Sequence, residues 1–187
     1  MAHQRRITTI SVSIIASLVM IFEIAPQADA MDQISADNIQ AAMRTLTFLE
    51  SLPQEGPIVV GVVFPSDVPA SQAAAEATAQ LIATVHGPNS RTLKPLLISD
   101  DALAQFDGHL DVLFLVTGIS RHCASIVDVM RRRHLVSISD DPSCSDLGCG
   151  VVTVRTGQRV EISLNTALAD AVGARFSLIF TMVVKRK

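Results

Sequence analysis

The chain has 187 residues and a formal net charge of −3; 49% of its residues are hydrophobic, and it contains neither Trp nor Tyr. That length suits one ordinary domain behind a leader, and the charge lacks the basic excess of a general nucleic-acid binder. With no Trp or Tyr, a saccharide or aromatic-ligand site built on stacked rings is disfavoured. The first 30 residues have the layout of a secretory signal peptide. Arg5-Arg6 leads into an apolar run over 7–24, and Ala28-Asp29-Ala30 places small residues at −3 and −1 of a cut after Ala30. The mature protein would begin at Met31, with about 157 residues in one domain over 31–187. Arg5, Arg6, Glu23 and Asp29 cancel, so the mature charge stays at −3. No second apolar run reaches membrane-spanning length, so the processed chain is expected to be soluble, in the periplasm, and not membrane-spanning.

Residues 33–52 have helical spacing, with Ile39, Met43, Leu46 and Leu49 on one face. Residues 58–64 form a continuous β-branched run, the pattern of a strand buried on both faces. The turn Pro65-Ser66-Asp67 precedes an Ala-rich helix over 70–85. A second strand covers 92–98, and Pro95 predicts that it lies at an edge or is irregular. Ser99-Asp100-Asp101 caps a short helix, and 111–117 is a third, continuously apolar strand. A loop and helix follow over 118–133, then a short strand over 135–139. Residues 140–148 cluster Asp, Pro, Ser and Gly and read as a loop. Strands over 151–155 and 159–164 alternate and form a hairpin. Asn165 caps a helix through Ala171, and 176–184 is compatible with strand or helix. The alternation predicts a single α/β domain: a mostly parallel sheet with helices on both faces and a C-terminal β-hairpin.

Cys123, Cys144 and Cys149 remain after the leader. Cys144 and Cys149 flank Ser145-Asp146-Leu147-Gly148, and in an exported chain they are the expected disulfide. Cys123 reads as a small buried residue, with an intermolecular bond or membership of an exchanging set as the sharper alternatives. The spacing of His122, Cys123, Cys144 and Cys149 is not that of a zinc site, so no metal is expected. No Gly-x-Ser-x-Gly, Gly-x-Gly-x-x-Gly or phosphate loop occurs, so neither catalysis nor a cofactor is expected. Asp140-Asp141 before Pro142 reads as a turn cap, and His86, His109 and His134 as solvent-facing residues at element ends. Arg131-Arg132-Arg133 is the basic cluster. It suits a helix end, and its sharper reading is a patch for an acidic partner.

The stretch from His134 onward, with Leu135-Val136-Ser137-Ile138-Ser139-Asp140-Asp141-Pro142, Cys149-Gly150-Val151-Val152, Arg159 through Asn165 and Ala171-Val172-Gly173-Ala174-Arg175, resembles the YfiR family of exported regulators. The family's apolar strand is matched by Asp111-Val112-Leu113-Phe114-Leu115, and the similarity spans nearly all of the mature chain. Ile162 and Ser163 depart from the Phe usual before the family's "iN". The resemblance implies a periplasmic repressor. It would bind the periplasmic domain of a membrane-bound diguanylate cyclase, or of a sensor kinase, and respond to redox conditions to control cyclic di-GMP and biofilm. The surface expected to do so is the loop over 141–149, with Asp141 and Asp146, together with Arg131, Arg132 and Arg133. Asn165 is expected to be structural. A homodimer is left open. The competing expectation is a periplasmic small-ligand carrier accessory to a transporter, with loops at strand ends holding the ligand.

Overall fold

The central constraint on this chain is that three of its strands carry almost no polar surface. In the computed structural model, which describes residues 36–156 and 159–187, β1 is Ile58–Phe64, β3 is Val112–Leu115 and β4 is Val136–Ser139. All four residues of β3 and of β4 are buried. Strands buried on both faces need helices on both sides, and parallel pairing supplies them through crossovers. β1 pairs in parallel with β3, with Val60 opposite Val112 and Val63 opposite Leu115. β3 pairs in parallel with β4, with Leu113 opposite Ser137.

The sheet has seven strands in the order β2-β1-β3-β4-β5-β6-β7, where β2 is Leu93–Ser99, β5 Val152–Thr156, β6 Val160–Leu164 and β7 Lys185–Arg186. The β5–β6 pair is antiparallel and is the expected hairpin. β6 and β7 run parallel to each other, so both oppose the rest. The architecture is the expected one: α/β, mostly parallel, with helices and a C-terminal hairpin. β2 is an edge strand, which accommodates the missing N–H of Pro95. Gly61 stands in the middle of β1 because a β-carbon there would come within 3.0 Å of Leu113 Cδ2. The expected signal peptide, 1–30, lies outside the described residues. Among those described, no helix is long and apolar enough to cross a membrane.

The helices are α1 Ala36–Arg44, α2 Ser71–Thr84, α3 Asp100–Leu103, α4 Cys123–Arg133, α5 Pro142–Asp146, α6 Thr166–Val172 and α7 Leu178–Val183. α1 is shorter than the expected 33–52 helix, because the chain tightens into a 3-10 turn at Thr45–Phe48 and then enters an isolated bridge from Leu49 to Phe176. α5 replaces an expected loop. Asp141 accepts a hydrogen bond from Ser143 N at 2.8 Å, and Pro142 sits at the first helical position, where a missing N–H costs nothing.

The ambiguous tail is mainly helical. Phe180, 1% exposed, stacks on Phe48 and Phe176 with ring centroids 5.0 and 5.2 Å apart. One buried ring fixes the helix, and its other apolar residues are left outward. Asn165 fulfils its structural role, because its Oδ1 accepts from Leu168 N at 2.9 Å. Gly173 then closes α6 at φ 73°, a conformation glycine adopts without strain. Replacing Asn165 with Ala should leave the Leu168 amide unsatisfied and cost about 1 kcal/mol of unfolding free energy in a urea titration.

Candidate functional site

The strand order places a topological switch between β1 and β3, the position where open parallel sheets hold ligands beyond their carboxyl ends. The chain leaves β1 through Pro65-Ser66-Asp67, leaves β2 directly into Asp100, and leaves β3 through Gly118 into a 3-10 turn at Ile119–His122. Polar side chains from these three exits converge. Asp100 Oδ1 accepts from Ser66 N at 2.8 Å. Its Oδ2 lies 2.9 Å from His122 Nδ1. His122 Nε2 lies 3.3 Å from Asp67 Oδ1, and Arg121 donates to Asp67 Oδ2 at 3.2 Å.

Burial grades across the cluster. The Asp100 side chain is 8% exposed, His122 25%, Asp67 47% and Arg121 61%. The inner pair is therefore fixed by the fold, and the outer pair reaches solvent. A neutral imidazole has one N–H, so only the imidazolium donates to both carboxylates. The cluster can recognise charge of either sign: Arg121 offers planar donors, and Asp67 offers acceptor oxygens. Gly118, at φ 91°, turns the chain beside it, and its N–H donates to Asp141 Oδ2 at 3.4 Å. A cavity of about 440 Å³ lies elsewhere, between α1 and the end of α2, lined by Asp37, Gln40, Arg44 and His86 among others.

The residues singled out in the sequence are placed differently. Asp141 is not a surface contact. It is 8% exposed and spends both oxygens on the amides of Ser143 and Gly118. Arg133 is half-buried and engaged within the fold. Its guanidinium donates to the carbonyls of Phe106 and Gly108 and lies 5.8 Å over the Phe106 ring, clamping the end of α4 to the loop before β3. Arg131 and Arg132 are exposed. Asp146 is exposed and pairs with Lys187 Nζ at 2.6 Å, which holds its carboxyl below the usual carboxylate range. His86, His109 and His134 are exposed, as expected.

The disulfide joins Cys123 to Cys149, which corrects the expected Cys144–Cys149 pair. The expectation assumed a flexible loop around Cys144, and capping by Asp141 makes a helical turn there instead. The Cys149 and Gly150 amides both donate to the Cys144 carbonyl at 2.9 Å, while the Cys149 side chain meets the first residue of α4. All three cysteines are buried. Burial pushes the Cys144 thiol up to about 12, with Asp141 and Asp140 adding to the effect and a hydrogen bond with Ser139 opposing it. Sequence reading passed over Asp67, Asp100 and His122 as a turn, a cap and an unused ligand. The signal that could have found them is that polar residues directly follow the first three strands of an alternating fold.

No protein-family model matches the chain, and no curated protein matches it. Among solved structures, it is similar to the ABC domain in complex with L-Trp from Streptococcus pneumoniae, with a TM-score of 0.58 and 10% identity, over 80% of this chain and 60% of that one. It is also similar to the ligand-free, open structure of a substrate-binding protein with adhesive properties from Clostridium difficile, with a TM-score of 0.49 and 12% identity, over 70% of this chain and 54% of that one. What the first likeness shows is the fold. The chain spans less than two thirds of the length of either neighbour.

In protein isolated without reductant, a non-reduced digest should yield a Cys123–Cys149 peptide pair, and Cys144 should resist alkylation until the fold is opened. Closing a loop of 26 residues contributes roughly 3.5 kcal/mol in the chain-entropy picture, so Cys123→Ser should lower stability by about that order. A Cys144–Cys149 peptide pair in the same digest would contradict the assignment.

Proposed function

We propose that this protein is an exported small-ligand-binding module, of the kind that serves a transporter, and that its ligand sits over Asp67, Asp100, Arg121 and His122. The observation that carries this reading is the convergence of charged side chains from three strand exits at the switch point of the sheet. The inner Asp100–His122 pair pre-organises the outer Asp67–Arg121 pair, so little ordering is left for the ligand to drive. A carboxylate beside a guanidinium suits a small zwitterion, with its amine on Asp67 and its carboxylate on Arg121. The likeness to a domain in complex with L-Trp is compatible with an amino-acid-like ligand. This chain has no Trp or Tyr for stacking, so charge, more than an aromatic side chain, would be read. A leader over 1–30 fits delivery to the periplasm.

A thermal-shift screen of amino acids and related zwitterions tests this reading. A ligand at 100 times its Kd should stabilise the protein by about 2.7 kcal/mol. Arg121→Gln should abolish that gain while leaving the unliganded melting point nearly unchanged, because its ion pair is exposed. If no zwitterion shifts the melting point, the carrier reading fails.

A second reading, repression of a membrane-bound diguanylate cyclase as in the YfiR family, is favoured by one feature of the surface. α7 turns Leu178, Ile179, Met182 and Val183 outward, each 70–75% exposed, a concentration of apolar surface that suits contact with another protein. On this reading, deleting the gene raises cyclic di-GMP, and an Ile179→Glu copy folds yet fails to restore repression. Unchanged cyclic di-GMP in the deletion strain would leave the carrier reading alone.

A further inference from the structure

We propose that the reduced protein holds one soft d¹⁰ cation, of the Cu(I) class, between Cys123, Cys144 and Cys149. The three thiols come from separate elements: the first residue of α4, the middle of α5 and the loop before β5. Their sulfurs nevertheless lie within 4.8 Å of one another, and the three residues are 5%, 0% and 0% exposed. With metal–sulfur bonds of about 2.3 Å, a trigonal set needs sulfurs about 4 Å apart, so the Cys123 and Cys149 sulfurs, bonded in the oxidised protein, must separate on reduction to admit the ion. Among the described residues no imidazole or carboxylate joins the three sulfurs. His122 adjoins Cys123, but its ring is turned to Asp67 and Asp100. Structural zinc takes four ligands, whereas three soft thiolates and nothing else suit a monovalent d¹⁰ ion.

A second observation points to the same place. Thr153 is 3% exposed, and its hydroxyl has no hydrogen-bond partner. A β-carbon on Gly150 would stand 2.9 Å from Thr153 Oγ1 and 3.4 Å from Cys144 Cβ, so glycine keeps the space beside Cys144 open. A buried hydroxyl without a partner is costly, and a thiolate sulfur would accept its proton in a hydrogen bond. Cys123 begins α4, where the helix dipole favours a thiolate and opposes the cost of burying negative charge near Asp140 and Asp141.

The disulfide and the ion are alternative occupants of one triad. A dithiol reductant gives the Cys123–Cys149 bond two electrons and two protons, yielding two thiols and the oxidised reductant. The ion then displaces one proton from each of three thiols, giving a trigonal tris-thiolate and three released protons. No electron moves in the binding step. The site uses none of the switch-point residues, so it stands or falls independently of the ligand reading.

The test is a Cu(I) titration of the full-length chain, reduced with dithiothreitol and desalted anaerobically, in competition with a chromophoric Cu(I) chelator. One ion per chain is expected, with copper–thiolate luminescence and three sulfur neighbours by X-ray absorption; the oxidised protein should take none. Cys144→Ser should bind at least tenfold more weakly. Thr153→Val, which keeps every sulfur and the side-chain shape, should weaken binding several-fold. Circular dichroism confirms that each variant is folded. The proposal is overturned if the reduced wild type leaves Cu(I) with the chelator, if a folded Cys144→Ser binds as tightly as wild type, or if absorption reports two sulfur neighbours. Preferential binding of zinc, with cobalt substitution giving a tetrahedral spectrum, would also overturn it.

Discussion

The parallel pairing of β1 with β3, buried on both faces, is the constraint on which the other features depend. A strand such as Val112–Leu115 can satisfy its backbone only within a sheet and its side chains only beneath helices. Parallel strands must be joined by crossovers, so each strand exit falls at the same end of the sheet. Because β2 lies on the far side of β1, the chain diverges from β1 and β3 in opposite directions. Asp67, Asp100, Arg121 and His122 meet at these diverging exits. The site is a consequence of strand order, with its polar chemistry added at the exits.

The same end of the sheet carries the cysteine triad, and one segment connects the two. Arg121 and His122 close the 3-10 turn, and Cys123 immediately opens α4. Whatever occupies Cys123 therefore anchors the backbone that presents the charged cluster. Asp141 ties in the other side by holding the Gly118 amide and the start of α5 together. Two carboxylates that look like surface acids in the sequence, Asp100 and Asp141, are 8% exposed at their side chain and as a residue respectively, and both organise backbone. Their cost of burial is met by hydrogen bonds from main-chain amides and, for Asp100, by His122.

The far end of the sheet is stabilised differently. β6 and β7 oppose the other strands, and the tail returns to stack Phe180 on both Phe48 and Phe176. The cost is an outward apolar face on α7. A helix of six residues cannot also bury its other four large apolar residues when the inward position is already filled by Phe180.

Local patterning alone determined much of this protein. The strand over 58–64 was legible to the residue, because a continuous β-branched run fits no other environment. The edge position of β2 followed from Pro95, the hairpin from alternation, and the role of Asn165 from cap chemistry within three residues. What sequence could not decide were relations between distant residues. Cys144 lies five positions from Cys149 and looked its natural partner, yet Cys123, 26 positions away, is joined to it. That choice depends on where α4 begins relative to the turn before β5. The conversion of 142–146 from loop to helix hid the answer further, since one cap at Asp141 redirects the Cys144 side chain. Asp67, Asp100 and His122 are separated by 33 and 22 positions, and nothing local relates them. Only strand order brings them within hydrogen-bonding distance, because pairing free energy is summed over the whole sheet and no single segment carries it.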